Sequence, residues 1–224
     1  MKQSYTTYFA EIYDDVMKNV PYKYWFRYLN DLLKYYKAEP NSVLELAAGT
    51  GNMTSKLINI KSVKKITAID LSAAMLTKAA EKLEILAEYS SSMSKFKIER
   101  DDMEFDFIDD KKREIKLEFK TKNMIKFSFE ERYDLILSFF DSLNYLTDID
   151  KLQSSFESAA AVLNDNGLFI FDMNSVGRIK RIKEESYVIE GEDYSCFWED
   201  VVRAEENLWQ VQLKICPDND EIPC

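Results

Sequence analysis

Glu45 and Asp70 are the residues of this chain best placed to do chemistry. Each stands at the end of a short apolar run, and they lie 25 residues apart. Small residues, Ala47-Ala48-Gly49-Thr50-Gly51, follow the first. A turn of this kind lets backbone N–H groups approach a ligand that side chains would hold away. The spacing fits a β-α-β unit whose second strand offers Asp70 as an acceptor to a ribose diol. A carboxylate at Glu45, ahead of the glycines, is unusual for a nicotinamide site. The chain has no histidine. That removes His-based triads, imidazole ligands and the usual general base together. Cys196, Cys216 and Cys224 are too few and too scattered for a metal framework, so no metal is expected.

These residues need a scaffold, and the hydrophobic pattern supplies one. Residues 5–18 and 22–36 read as aromatic-rich amphipathic helices split by Pro21. A strand over 42–47, a helix over 51–59, a strand over 65–70 and a helix over 72–89 follow, with Ser72 as N-cap. Further on come a strand over 133–139, a helix over 149–163, a turn at 164–167 and a strand over 168–171. Alternating apolar strands and helices predict an α/β fold with a parallel sheet covered on both faces. Two segments break the rhythm. Residues 91–114 read as an insertion hairpin leading into the third core strand at the sheet edge, and 187–216 as a second antiparallel addition. At least half of the aromatics Tyr194, Phe197, Trp198 and Trp209 in that second hairpin are expected to pack on the domain. With no repeat or clear linker, the expectation is one domain over 1–224, residues 1–40 forming a helical lid.

The composition narrows the partners. A formal charge of −10 argues against a nucleic-acid backbone or an anionic membrane. The local cluster Arg178, Lys180, Arg181 and Lys183 reads as a solvated helix face. No stretch approaches the ~18 apolar residues that span a bilayer, and the first residues carry no signal-peptide core, so a reducing cytoplasm is the expected compartment.

The block Glu45-Leu46-Ala47-Ala48-Gly49-Thr50-Gly51-Asn52 resembles the first motif of class I S-adenosylmethionine-dependent methyltransferases, departing at Ala47, where glycine is commoner. The order of blocks is similar from residue 43 to about 173. The runs Tyr8–Asp14 and Phe140–Leu146 resemble the small-molecule branch of that family. The resemblance implies a Rossmann-like, mostly parallel sheet with helices on both faces, plus antiparallel hairpin additions, and S-adenosyl-L-methionine as cofactor. It places the methionine part on Ala47, Gly49 and Gly51, with Glu45 near its amino group. Asp70 would accept both ribose hydroxyls, with Leu71 beside it, and Phe140 would line the far side. For adenine, counting eleven residues back from Asp134 gives Asn123 followed by Met124; the rival pair is Asp102-Met103. Tyr22 and Tyr13 are candidates to close over the sulfonium methyl, and Asp141 to take a proton from the acceptor.

The implied reaction is in-line methyl transfer to a small molecule, an amine favoured over a hydroxyl, with no metal or covalent intermediate required. The family's sheet runs 3-2-1-4-5-7-6, and only 53 residues follow Phe171. Strands six and seven are therefore expected to be absent. Either the chain is a truncated product or the 187–216 hairpin replaces the missing edge. The alternative function is a truncated or inactive S-adenosylmethionine-binding protein without turnover.

Overall fold

The computed structural model describes residues 7–89, 93–99, 102–108 and 113–218. The elements are α1 (Thr7–Val16), α2 (Tyr22–Tyr36), β1 (Ser42–Leu46), α3 (Thr54–Leu57), β2 (Lys65–Asp70) and α4 (Ala73–Tyr89). Next come β3 (Met93–Glu99), β4 (Asp102–Ile108), β5 (Glu114–Thr121), β6 (Tyr133–Ser138), α5 (Ile149–Val162) and β7 (Leu163–Phe171). The chain continues through α6 (Val176–Ile179), β8 (Ser186–Glu190), β9 (Tyr194–Arg203) and β10 (Leu208–Pro217). They divide into two compact units, one of residues 21–173, the other joining residues 8–20 to the chain from Asn174 onward. The segment expected as a lid is thus shared, with α1 in one unit and α2 in the other.

The first unit holds a seven-stranded sheet in the order β3-β4-β5-β2-β1-β6-β7. β5, β2, β1, β6 and β7 are parallel, and β3 and β4 run antiparallel at one edge. Alternation along the central strands sorts their side chains onto two faces. Val43, Ile66, Ala68, Leu135 and Leu137 join Leu29 and Leu33 of α2 and Leu76, Ala79 and Leu83 of α4. Leu44, Leu46, Ile69 and Ile136 join Ala159 and Val162 of α5, with Phe127 and Tyr133. Burial on both faces is why these strands read as unbroken apolar runs. At the starts of the strands one carboxylate ties three together. Asp134 Oδ2 accepts from the N–H groups of Asn41 (2.8 Å) and Ser42 (3.1 Å), and Asn164 Nδ2 donates to Oδ1 (2.8 Å).

Three expectations need correction. The helix predicted over 51–59 is the single turn α3, because the N–H groups of Asn59 and Ile60 reach back three residues, not four, and wind the chain out of the helix. The turn at 164–167 is a bulge within β7, whose pairing to β6 jumps from Leu163 to Leu168, with Asn166 left-handed at φ 65°. The segment 187–216 does not replace a missing edge of the main sheet. It forms a separate antiparallel sheet, β10-β9-β8. Among the described residues β7 is therefore the outermost strand on its side, with Phe171 at its end 41% exposed.

The second unit is built on that three-stranded sheet together with α1. Tyr194 Oη donates to Asp15 Oδ2 at 2.6 Å, joining residues 179 apart in the chain. No described helix is long and apolar enough to cross a membrane.

Candidate functional site

In the main sheet the chain runs outward from β1 through β2 to β5, then returns to lay β6 and β7 on the other side of β1. Loops leaving the carboxyl ends of β1 and β6 diverge at such a reversal and leave a crevice for a ligand. Every candidate residue of the first unit lies on this rim.

Glu45 is the next-to-last residue of β1, with its side chain inside the protein at 5% exposure. The Thr54 hydroxyl donates to its Oε2 at 2.6 Å. Burial pushes the Glu45 carboxyl up to about 8; the Thr54 hydroxyl offsets part of the shift and the charge of Asp70 adds to it. Asp70 ends β2. Its Oδ2 accepts the Gly49 N–H and its Oδ1 the Ser72 N–H, each at 2.8 Å. Burial raises its pKa, against the opposing pull of the Ser72, Gly49 and Leu71 N–H groups. Leu71 follows with its side chain 70% exposed, an apolar surface left uncovered beside a carboxylate.

The loop between the two acids is left-handed at alternate residues, with φ 54° at Ala47, 56° at Gly49 and 71° at Gly51. A Cβ on Gly49 would meet nothing within 4 Å, so there is open room above this residue. A Cβ on Gly51 would stand 2.8 Å from Ala79 Cβ, and glycine here lets the loop lie against α4. Lys82 of α4 clamps the outer turn, donating to Asn52 Oδ1 at 2.7 Å and to Thr50 Oγ1 at 3.3 Å. Ala47 holds a conformation that disfavours a side chain by about 1–2 kcal/mol. Ala47→Gly should therefore stabilise the chain by about 0.5–1 kcal/mol, once the added freedom of the unfolded glycine is subtracted. Urea unfolding checks this through a higher midpoint at unchanged slope.

Across the crevice, two successive non-glycine residues after β6, Phe140 and Asp141, are left-handed at φ 61° and 51°. Their neighbours hold them there. The Phe140 ring meets Tyr22 edge-on at 4.7 Å and Trp25 at 5.5 Å, and the Asp141 N–H donates to Asp172 Oδ2 at 3.0 Å. Strain of this kind persists only where packing over-determines it, and it collects at ligand sites.

Asn123 follows the end of β5, a parallel strand beside β2, and the Lys122 N–H donates to the Asp70 carbonyl at 3.0 Å. Asn123 is exposed, and its Oδ1 caps its own turn by accepting the Ile125 N–H at 2.9 Å. Met124 packs on the α5 side of the sheet. The rival Asp102 opens β4, an antiparallel strand one place further from β2. The structure thus groups Glu45, Ala47, Gly49, Gly51, Asp70, Leu71, Asn123, Met124, Phe140, Tyr22 and Asp141 on the rim of one unit. Tyr13 is not part of that unit. It lies on α1 in the other unit, where its ring meets Phe9 edge-on at 5.5 Å.

Sequence reasoning missed Thr54, Lys82 and Asp172, which hold the acids and loops in place, and two hydroxyls at strand ends. Thr121 Oγ1 ends β5 opposite Asp70 in register, and Ser138 Oγ ends β6. Both are buried, and neither has a hydrogen-bond partner among the described residues. Such groups ordinarily find one. Nothing in the sequence marked them: the strand expected over 133–139 places Ser138 one residue short of its end. Unused hydroxyls, paired carboxylates, an uncovered leucine and open space over Gly49 together fit a ligand that carries a ribose and an ammonium group.

Residues 44–169 match the family model described as a methyltransferase domain. Among curated proteins, the chain is 28% identical over 199 residues to YqeM of Bacillus subtilis (strain 168), covering 88% of this chain and 67% of that one. It is 26% identical over 192 residues to GWCH70_2453 of Geobacillus sp. (strain WCH70), covering 85% and 66%. The chain thus spans about two thirds of the length of these relatives. Among solved structures, an S-adenosylmethionine-dependent methyltransferase from Clostridium acetobutylicum ATCC 824 superposes with a TM-score of 0.65 at 23% identity, over 96% of this chain and 82% of that one. The sugar N-methyltransferase KedS8 from Streptoalloteichus sp ATCC 53650 gives 0.60 at 15%, over 90% and 75%. CalS10, an amino pentose methyltransferase from Micromonospora echinaspora, gives 0.60 at 11%, over 99% and 86%. At these identities the structural likeness is one of fold.

Proposed function

We propose, for a chain that belongs to the methyltransferase domain family, that it moves a methyl group from S-adenosylmethionine to a small-molecule acceptor, an amine in preference to a hydroxyl. One arrangement carries the reading. Glu45 and Asp70 end adjacent strands on either side of a loop that is left-handed at residues 47, 49 and 51.

In this reading the cofactor's ammonium group is held by Glu45, its ribose by Asp70, and its methionine part by the N–H groups of the 47–51 loop. Leu71 and Met124 offer apolar contact to the adenine and Asn123 a side-chain amide. When bound, the cofactor supplies an electrophilic methyl group on a sulfonium, which is already a good leaving group. What remains for the protein is alignment, worth ~7–11 kcal/mol when a nucleophile is held in line. Phe140, Tyr22 and Trp25 form an aromatic wall on the β6 side that excludes water. An attacking amine has to be neutral, and Asp141 is the carboxylate on that wall that can take its proton, directly or through water.

The amine preference draws on the company the fold keeps. Two of the similar structures are named for N-methylation of a sugar and for methylation of an amino pentose. The net charge of −10 accords with a small acceptor in preference to a nucleic acid.

Calorimetric titration of the chain with S-adenosylmethionine, with NAD as control, tests the cofactor. The expected result is saturable binding of the first and none of the second. A screen of amines and alcohols for a gain of one methyl in mass then tests the acceptor. Methylated alcohols with untouched amines would overturn the amine preference.

A further inference from the structure

Within its strands, the three-stranded sheet of the second unit carries one charged side chain, Asp200, on an otherwise apolar face. Glu185, one residue before β8, accepts the Asp200 N–H through its carbonyl at 2.9 Å. Directly paired residues share a face, and the register of β9 with β8 and β10 sets Tyr187, Trp198 and Leu213 in one row, Asp200 with Val211 in the next, and Val202 with Trp209 beyond. The opposite face takes Glu199, Gln210, Gln212 and Lys214, the expected solvent side. Asp200 therefore sits on the wrong face for a solubilising acid.

Its surroundings are built around it. The indole N–H of Trp209 donates to Asp200 Oδ1 at 2.9 Å, and that of Trp198 donates to the same oxygen at 3.2 Å. Tyr187 stacks on Trp198 with centroids 5.7 Å apart and planes 14° from parallel. Two neutral donors orient a carboxylate without cancelling its charge. No described Lys or Arg forms an ion pair with Asp200, and its Oδ2 accepts no hydrogen bond among the described residues. Asp200, Trp198 and Trp209 are partly buried and Tyr187 is 44% exposed, so a ligand can reach the group.

We propose that Asp200, Trp198, Trp209 and Tyr187 form a binding site for an organic ammonium cation. Charge complementarity commits the occupant. A carboxylate oxygen without a partner, framed by tryptophan and tyrosine rings, suits a positive group bearing alkyl carbon, which gains from the charge and from the ring faces together. A metal ion would want several oxygens, and one carboxylate oxygen among indoles does not supply them. A neutral sugar would use the rings and leave the charge unanswered. That the natural cation is the amine acceptor of the methyl group, or its methylated product, rests on the reading of function above; the site itself does not.

The test is a titration of the full chain, labelled with 15N at tryptophan, with tetramethylammonium chloride. Sodium chloride at equal ionic strength is the control. The chain has three tryptophans, Trp25, Trp198 and Trp209, hence three indole signals. Those of Trp198 and Trp209 are expected to shift saturably while that of Trp25 stays in place. Asp200→Asn keeps an acceptor for both indoles and should weaken the binding at least tenfold. Trp209→Phe should weaken it by a smaller factor. A shift of all three signals alike, a shift reproduced by sodium chloride, or unchanged binding in Asp200→Asn would overturn the site. A response to a neutral sugar in place of the cation would overturn it also. No S-adenosylmethionine is present, so failure here leaves methyl transfer standing, and failure of methyl transfer leaves this result standing.

Discussion

Asp70→Ala should weaken S-adenosylmethionine binding by a hundredfold or more while the chain stays folded. An ionised carboxylate offers about four lone-pair positions. The Gly49 and Ser72 N–H groups take one on each oxygen, which leaves each oxygen able to meet a ribose hydroxyl. Hydrogen bonds to a charged group contribute about 1.5–3 kcal/mol each, so two lost together weaken binding by roughly 3–6 kcal/mol. At about 1.4 kcal/mol per factor of ten, that is on the order of 10²–10⁴ in affinity. The substitution also strips the Gly49 N–H of its acceptor in the free protein, at a cost of about 1–3 kcal/mol in stability. A calorimetric titration beside a thermal melt separates the two effects. Binding within threefold of the parent, in a chain that still melts cooperatively, would remove Asp70 from the cofactor site.

The second large effect is on pH. Glu45 titrates near 4.5 when unfolded and near 8 in the folded, ligand-free chain, because burial disfavours its charge. Between those values the folded state holds a proton that the unfolded state has released. Stability of the free chain therefore falls as pH rises from about 4.5 to 8, by up to about 1.4 kcal/mol per unit, and is level above 8. An ammonium group brought against Glu45 reverses the preference and favours the carboxylate. Binding near pH 7 should then release up to one proton, and affinity should strengthen with pH until about 8. Calorimetry in phosphate and in Tris, whose ionisation heats differ, measures that proton directly. Glu45→Gln should flatten the pH dependence of both stability and affinity. Identical heats in the two buffers would mean that Glu45 is already ionised or stays neutral with the ligand in place.

Both effects rest on residues that the sequence made visible, for a definite reason. Strands buried on two faces write themselves as apolar runs, so β1, β2 and β6 and the acids at their ends could be located within a residue or so. The spacing of Glu45 and Asp70 then placed both on the same rim. What escaped was set by distant contacts. Phe140 and Asp141 have no local chemistry that favours a left-handed backbone; they are held there by Tyr22, Trp25 and Asp172. Alternation in 187–216 announced strands with one covered face, and nothing in a period of two says which sheet they join. Serine or threonine at a strand end is commonplace, so the unpartnered hydroxyls of Thr121 and Ser138 needed coordinates to be seen. Asn123 follows the parallel strand β5 and Asp102 opens the antiparallel strand β4, an arrangement that pairing alone reveals.

The hydrogen bond between Tyr194 and Asp15 bears on how the chain is made. One helix and one sheet far apart in the sequence make up a single unit, and residues 21–173 of the other unit lie between them. A ribosome adding about 5–20 residues per second needs roughly 10–40 s to travel from the first partner to the second. A ten-residue helix is too short to persist alone over that interval. The Rossmann-like unit can therefore assemble during synthesis, while α1 waits for β9, whose Tyr194 follows Asp15 by 179 residues.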